Sequence, residues 1–325
     1  MKKNYRWGIL GAGKIAEKFC EAVCFVEGSE VYAVASRDMD KAKDYAAKYN
    51  ASKFYNSYAE LVNDENVDII YIATPHAFHY EQTMLCLQNK KPVLCEKPMS
   101  LSLQQTTAMI AAAVENKVFL MEALWTGCMP LMDKITSLIK EGIIGELKYV
   151  SADFGFIAPP DPEGRLLNKS LGGGSVMDIG IYPIFLSAFI LGAPAVIKSI
   201  SNLTTTGVDV YANAVLQYPN GQTAHIVSAI NINTALEAEI IGTKGRIKIS
   251  NPWFKVTDFT VHLNDGTSEN FNQPHLSNGY EHEIVEVMNC LDNGLLQSNK
   301  ITHQLTLTIS KIMEDILSQA GVKYH

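Results

Sequence analysis

A chain of 325 residues is too long for one ordinary hydrophobic core and short for three, so two domains are expected. With 47% hydrophobic and 19% charged residues and ordinary glycine and proline contents, the composition is that of a soluble globular protein and excludes disordered and fibrous classes. The net charge of −7 offers no basic stripe to neutralise a phosphate backbone, which argues against a nucleic-acid partner.

The six cysteines are scattered, with no C-x-x-C pair and no His at ligand spacing, so no metal site and no disulfide framework are expected, and a reducing cytoplasmic location fits. The opening "MKKNYRWGILGAGKIAEKF" has an apolar run broken by Lys14 and Glu17, unlike a signal peptide. The stretch 179–197 has membrane length but holds Pro183, Pro194, Gly180 and Gly192 without basic flanks, so a buried helix is expected and no membrane partner.

From residue 5 to about 122, short β-rich runs alternate with helical stretches. "YRWGIL", "EVYAVAS", "SKFY", "VDIIYIAT", "PVLCE" and "VFLME" read as strands, with helices near 13–26, 39–49, 57–63, 78–89 and 101–116. Strands apolar throughout are those of a parallel sheet covered on both faces, so a doubly wound Rossmann domain is predicted over 1–122. Beyond it come a helix near 129–141, "LKYVSADFGF", a glycine-led helix, and strands separated by turns such as "YPNGQ", where Asn and Gly tolerate φ > 0. Two helices near 279–292 and 302–320 close the chain. Residues 123–325 are therefore read as a substrate-binding and oligomerisation α+β domain with a large, mostly antiparallel sheet, its last helix packing back toward the Rossmann domain. The fold class is α/β.

Gly11, Gly13 and Ala16 give G-x-G-x-x-A between the first strand and first helix, the context a dinucleotide fingerprint requires. Gly11 permits the turn, Gly13 lets the backbone approach a pyrophosphate, and Ala16 keeps helix and strand close. The second strand ends in Ser36 and Arg37 instead of an acidic residue. An arginine pairs with a ribose 2′-phosphate that a carboxylate would repel, so NADP is expected ahead of NAD. Asp38 reads as the cap of the next helix.

"PVLCEKPMS" brings Lys97 to the carboxyl edge of a parallel strand, where such sheets bind ligands; a lysine snorkelling from a strand end is the plainer alternative. In "LGGGSVMDIGIYPI" the glycines read as a close-packed lead into a helix capped by Ser175. Asp178 and Tyr182, four residues apart, then share one helix face. A tyrosine that trades a proton near neutrality starts from a pKa of about 10. An ammonium about 4 Å away, at an effective dielectric of about 20, contributes about 4 kcal/mol, or about three pKa units, and Lys97 could supply it. On spacing alone, a capping Asp and a core Tyr remain open.

"GAGKIA", "ATPHAFH", "VLCEKPMS", "MEALWT" and "GGGSVMDIGIYPI", in this order, resemble the Gfo/Idh/MocA oxidoreductases over nearly the whole chain, and most of all the dihydrodiol and NADP-dependent xylose dehydrogenase branch. The resemblance implies an open sheet whose exposed face makes a homodimer or homotetramer, and hydride transfer between nicotinamide and a carbinol or hemiacetal carbon of a sugar, polyol or diol. It places catalysis on Lys97, Asp178 and Tyr182, with Tyr182 exchanging the proton. Cofactor contacts fall on Gly11, Gly13, Lys14, Ile15, Ser36, Arg37, Thr74, Pro75, His79, Glu96 and Lys97; substrate contacts fall on Lys97, Trp125, Phe156, Asp178 and Tyr182. By itself, His79 reads as a packed helix-start histidine. "WTGCMP" departs from the branch, which usually carries Arg-Phe where Gly127 and Cys128 stand, so a charged contact is missing, neither xylose nor a dihydrodiol is carried over as the substrate, and room for a larger or less polar polyol is implied. Two alternatives share the fold: an oxidoreductase that never releases its cofactor between two sugars, and a non-catalytic NADP-sensing regulator, which would have no need of Lys97, Asp178 and Tyr182 together.

Overall fold

The computed structural model describes residues 4–324. They form two compact units, both discontinuous in sequence. The first comprises the described residues up to Ser100, Gln104–Cys128 and His275–His303; the second comprises Leu101–Leu103, Met129–Pro274 and the described residues from Gln304.

The first unit begins β1 (Tyr5–Leu10), α1 (Lys14–Val23), β2 (Ser29–Ala35), α2 (Met39–Lys48), β3 (Lys53–Tyr55), α3 (Tyr58–Asn63), β4 (Ile69–Ile72), α4 (His79–Gln88), β5 (Val93–Glu96), α5 (Leu103–Asn116) and β6 (Leu120–Ala123). Its six strands run parallel in the order β3-β2-β1-β4-β5-β6. The order reverses beside β1, which makes the β1/β4 boundary the switch point where doubly wound sheets take ligands. β4, β5 and β6 are buried at every residue, because helices cover both faces. One core layer joins Leu10, Ile70, Ile72, Val93 and Leu120 to Leu87 and Met109 of the helices.

The second unit contains α6 (Pro130–Lys140), β7 (Leu147–Gly155), α7 (Ile181–Leu191), β8 (Val196–Leu203), β9 (Asp209–Gln217), β10 (Thr223–Ala229), β11 (Ala238–Gly242), β12 (Gly245–Ile249), β13 (Asp258–Leu263) and β14 (Ser268–Asn272). Eight strands pair in the order β14-β13-β12-β11-β7-β10-β9-β8, antiparallel except for β7 with β10. Alternation sets the two faces: Ala224, Ile226 and Ser228 of β10 are buried while Thr223, His225 and Val227 are half-exposed. α7 packs on the buried face and is itself almost wholly buried; the most apolar 18-residue window within residues 169–191, a stretch long enough to cross a membrane, is 83% buried in this fold. The predicted "PNG" turn closes β9 to β10 with Gly221 at φ +84 and its N–H donating to the Tyr218 carbonyl.

After β14 the chain returns to the first unit as α8 (Glu281–Asp292), where the Tyr5 hydroxyl donates to Asp292 at 2.6 Å. α9 (His303–Gln319) belongs to the second unit apart from its first residue.

Candidate active site

The β1–α1 turn is built on Gly11, at φ +104. A β-carbon there would lie 2.8 Å from Thr74 Cγ2 and 3.1 Å from the Ala73 carbonyl carbon, so both conformation and space demand glycine. Gly13 stands at the N-cap of α1 in extended conformation, and no side chain caps the helix. The first N–H groups of α1 are thus presented as an anion site of the kind a pyrophosphate occupies. The Tyr45 hydroxyl donates to the Gly13 carbonyl at 2.7 Å and holds the loop, and Ala16 is fully buried against the sheet. Lys14 and Ile15 open the helix beside it.

At the end of β2, Ser36 is buried and its hydroxyl accepts from the Asp38 N–H at 3.2 Å. Asp38 caps α2 as expected, accepting from the Lys41 N–H at 3.2 Å. Arg37 is exposed and lies over the Phe78 ring, 5.5 Å from its centroid. Among the described residues it forms no salt bridge, so its guanidinium is unclaimed by any carboxylate. Phe78 and the neighbouring Tyr58 hold the Arg37 head in place; burial raises the Tyr58 pKa and Arg37 pulls it back.

Beyond β4, the Thr74 hydroxyl donates to Gln82 Oε1 at 2.5 Å and Pro75 starts the short turn His76–Phe78. His79 is fully buried, with Nδ1 2.8 Å from the Pro98 carbonyl oxygen and Nε2 2.9 Å from that of Thr74. Both ring nitrogens lie against backbone carbonyl oxygens, and His79 ties the loop after β4 to the loop after β5. Burial pushes its pKa down against the pull of the two carbonyls, and Lys97 adds to the push.

Glu96 ends β5 buried; its carboxylate accepts from the Tyr71 hydroxyl and, at 3.2 Å, from the Lys97 N–H. Lys97 is half-buried and joined to Pro98 by a cis peptide bond. Glu122, which the sequence reading passed over, is buried and accepts from the Met99 N–H at 2.7 Å, fixing the strand end that carries Lys97. Trp125 is buried and stacks on Tyr280, ring centroids 4.9 Å apart; Gly127 and Cys128 complete the same short helical turn and are also buried.

In the second unit the glycine run has a steric cause. A β-carbon on Gly173 would sit 2.7 Å from the Leu166 carbonyl oxygen, and one on Gly174, at φ +114, would sit 2.4 Å from Asp209 Oδ1. Ser175 is not the helix cap. Its backbone is already helical and its hydroxyl donates sideways, to Asp209 Oδ2 at 2.6 Å. Asp209, fully buried at the start of β9, caps the helix in its place by accepting from the Val176 N–H at 2.8 Å. Burial raises the Asp209 pKa, and the Ser175 and Val176 donors hold it back.

The four-residue spacing of Asp178 and Tyr182 does not lie on a regular α-helix. Val176–Gly180 forms a π turn, and α7 takes over at Ile181, with Gly180 pressed so close to Ser228 that a β-carbon would lie 2.9 Å from its hydroxyl. Such wide turns recur at functional sites. Asp178 is buried and accepts a 2.6 Å hydrogen bond from Nη1 of Arg165, a residue the sequence reading did not select; the Arg165 side chain is 57% exposed. Tyr182 is buried against two aromatic rings, Phe154 at 5.4 Å and Phe254 at 5.6 Å, which stack on each other at 4.3 Å. Phe156 is half-buried just past β7, its N–H donating to the Ala229 carbonyl. Lys97 and Trp125 thus belong to the first unit, and Phe156, Asp178 and Tyr182 to the second.

A parallel sheet with a glycine turn at its switch point and an uncapped helix behind it defines a dinucleotide-binding Rossmann protein. Residues 5–124 match the Gfo/Idh/MocA family, described as an oxidoreductase family with an NAD-binding Rossmann fold, and residues 132–248 match the Gfo/Idh/MocA C-terminal domain. The trans-1,2-dihydrobenzene-1,2-diol dehydrogenase of Xenopus tropicalis is 34% identical, over 98% of this chain and 99% of its own. Among solved structures, the aldose-aldose oxidoreductase of Caulobacter crescentus, complexed with glycerol, has a TM-score of 0.88 at 25% identity, over 98% of this chain and 99% of that one. A similar fold, with a TM-score of 0.85 at 24% identity and 99% coverage of both chains, is that of KijD10, a 3-ketoreductase from Actinomadura kijaniata solved with NADP and TDP-benzene. The chain belongs to the Gfo/Idh/MocA oxidoreductases and is an enzyme of that NAD(P)-dependent family.

Proposed function

We propose that the protein is an NADP-dependent dehydrogenase or reductase acting on a vicinal diol, polyol or sugar. The observation that carries the cofactor choice is Arg37, with no carboxylate partner among the described residues, at the end of β2 where a carboxylate would select NAD. The glycine turn and uncapped α1 fit the pyrophosphate of the same cofactor. The dihydrodiol dehydrogenase relatives support a carbinol substrate. When bound, the nicotinamide exchanges hydride at C4.

The reading assigns proton exchange with the substrate hydroxyl to Oη of Tyr182, a stabilising charge for its phenolate to Nζ of Lys97, and substrate orientation to Asp178. Arg165 donates to the buried Asp178 carboxylate and orients it. Phe154 and Phe254 fix the tyrosine ring in one orientation. Val196, Ile200 and Val215, exposed on β8 and β9, support self-association through the open face of the second sheet.

A screen of diols, polyols and aldoses with NADP and with NAD, read at the reduced-cofactor band, tests the reading. Tyr182→Phe is expected to lower kcat by about 10²–10⁴-fold with NADP affinity unchanged; undiminished turnover would remove Tyr182 from the chemistry. The likeness to an aldose-aldose oxidoreductase favours a second reading, in which the cofactor stays bound between turnovers. Nicotinamide absorbance that survives dialysis would select it.

A further inference from the structure

The stretch "HLSNGYEHE", which opens the return of the chain to the first unit, brings together donors that no part of the reaction uses. His275 Nδ1 and His282 Nε2 face each other at 3.1 Å, and Glu281 Oε1 lies 3.9 Å from His282 Nε2. The three donor atoms all lie within 4.8 Å of one another. We propose that His275, Glu281 and His282 form a binding site for a divalent transition-metal ion, zinc above all.

The geometry is close to what such an ion requires. Two imidazole nitrogens bound to one tetrahedral zinc at about 2.0–2.1 Å are roughly 3.3–3.4 Å apart, so the His275–His282 edge needs to open by only a few tenths of an ångström. The Glu281–His282 edge must shorten by roughly 0.5 Å, and the His275–Glu281 edge, no longer than 4.8 Å, must close as well, so both imidazole rings have to rotate toward the Glu281 carboxylate. Two imidazoles and one carboxylate suit zinc, nickel or copper, and not magnesium or calcium, which prefer oxygen throughout. Three protein ligands leave the fourth position to water, and the half-buried His275 and His282 leave a path for it.

The site is also braced. The Glu281 carboxylate is buried and accepts from the Ser277 N–H at 3.0 Å and the Gly279 N–H at 2.7 Å, so its direction is set before any ion arrives. Gly279, at φ +103, has no room for a side chain: a β-carbon would lie 2.5 Å from the Trp125 ring and 3.3 Å from His275 Cδ2. The Asn278 amide donates to the Lys18 carbonyl at 2.9 Å and anchors the loop on α1. A bound ion would cross-link this loop to the first turn of α8. The proposal departs from the sequence expectation of no metal site, because H-x5-E-H is no standard ligand spacing and only the turn at Gly279 closes it.

The test uses full-length protein without an affinity tag, stripped with chelator and titrated with zinc against a chromophoric competitor, and with cobalt(II) for its visible spectrum. The expected result is one ion per chain, a four-coordinate cobalt spectrum, and a rise in Tm with zinc. His275→Ala and His282→Ala should each weaken binding by more than the roughly 10–100-fold that loss of an outer-shell partner costs. His225→Ala, in the second unit, should leave it unchanged. If His282→Ala does not fold, the half-buried His275→Ala carries the comparison, with circular dichroism as the check. No binding by the parent protein, or binding retained by His275→Ala, would overturn the proposal.

Discussion

Asp209 is the residue on which the Asp178–Tyr182 turn hangs, and replacing it tests the geometry directly. Its Oδ2 accepts from the Ser175 hydroxyl and from the Val176 N–H, both buried, while Oδ1 has no hydrogen-bond partner. Asp209→Ala removes two hydrogen bonds to a charged acceptor, worth about 1.5–3 kcal/mol each, and strands a buried N–H. Against this, the burial that raises the Asp209 pKa is a cost that the variant no longer carries. The net loss expected is about 3 kcal/mol, or roughly 6–12 °C in Tm for a unit of this size. Asp209→Asn keeps an oxygen for Val176 and sheds the buried charge, so it should stay within about 1 kcal/mol of the parent. Thermal unfolding followed by circular dichroism gives the stability, and turnover with the best substrate gives the function, with kcat expected to fall in the alanine variant and to persist in the asparagine variant. Equal damage from both substitutions would refute the reasoning, since it would mean that the charge, and not the acceptor, organises the turn.

Arg37→Ala should weaken NADP binding by about 10–150-fold, the equivalent of roughly 1.5–3 kcal/mol for a charged hydrogen bond, and leave NAD binding unchanged; fluorescence titration with both cofactors measures the difference. Gly11→Ala should abolish tight cofactor binding, because φ +104 and the 2.8 Å approach to Thr74 exclude a β-carbon; unaltered affinity in the same titration would contradict the turn geometry. Glu283 is fully buried on α8 with no hydrogen-bond partner for either carboxyl oxygen, and burial, then the Glu96 charge, push its pKa well above the usual carboxyl range. The folded state holds that proton where the unfolded state has lost it, so this group lowers stability as pH rises from about 4.5 to its raised value. Glu283→Gln lacks the penalty, and its stability relative to the parent should grow across that window by up to about 1.4 kcal/mol per pH unit; a pH-independent difference in urea unfolding would contradict the assignment.

The strands of the first sheet were legible because residues such as Ile69–Ile72 and Val93–Glu96 are buried on both faces and leave an unbroken apolar run. β14 was not, since "SENFN" is an exposed edge strand with no apolar face to betray it. The close packing of the glycines after Leu171 is legible in sequence, but the helix cap is not: Ser175 is the natural candidate because local sequence suggests only local donors and acceptors. The true acceptor, Asp209, lies 33 residues beyond Val176. Arg165 escaped for the same reason: it sits in a Pro- and Gly-rich stretch with no periodicity, and only the folded loop aims it at Asp178. The i, i+4 spacing of Asp178 and Tyr182 puts them on one face only in a regular α-helix, whereas a π turn forms where Gly180 meets Ser228 and Val176 is pinned by Asp209.

The place of α8 bears on how the chain acquires its fold. Every strand of the nucleotide-binding sheet is in hand by residue 123, yet the helix that seals Tyr5 and α1 begins only at Glu281, after the whole of the second sheet. A loop of that length closes at an entropic cost that grows only slowly with length, but it closes late. During synthesis the surface that α8 covers has to wait for the chain up to residue 303, so the first domain to begin folding is not the first that can finish. A fragment ending at Cys128 would retain the glycine turn and Arg37 while leaving Tyr5 without Asp292 and Trp125 without the Tyr280 ring stacked on it, an aggregation-prone product even though its nucleotide site is intact in sequence.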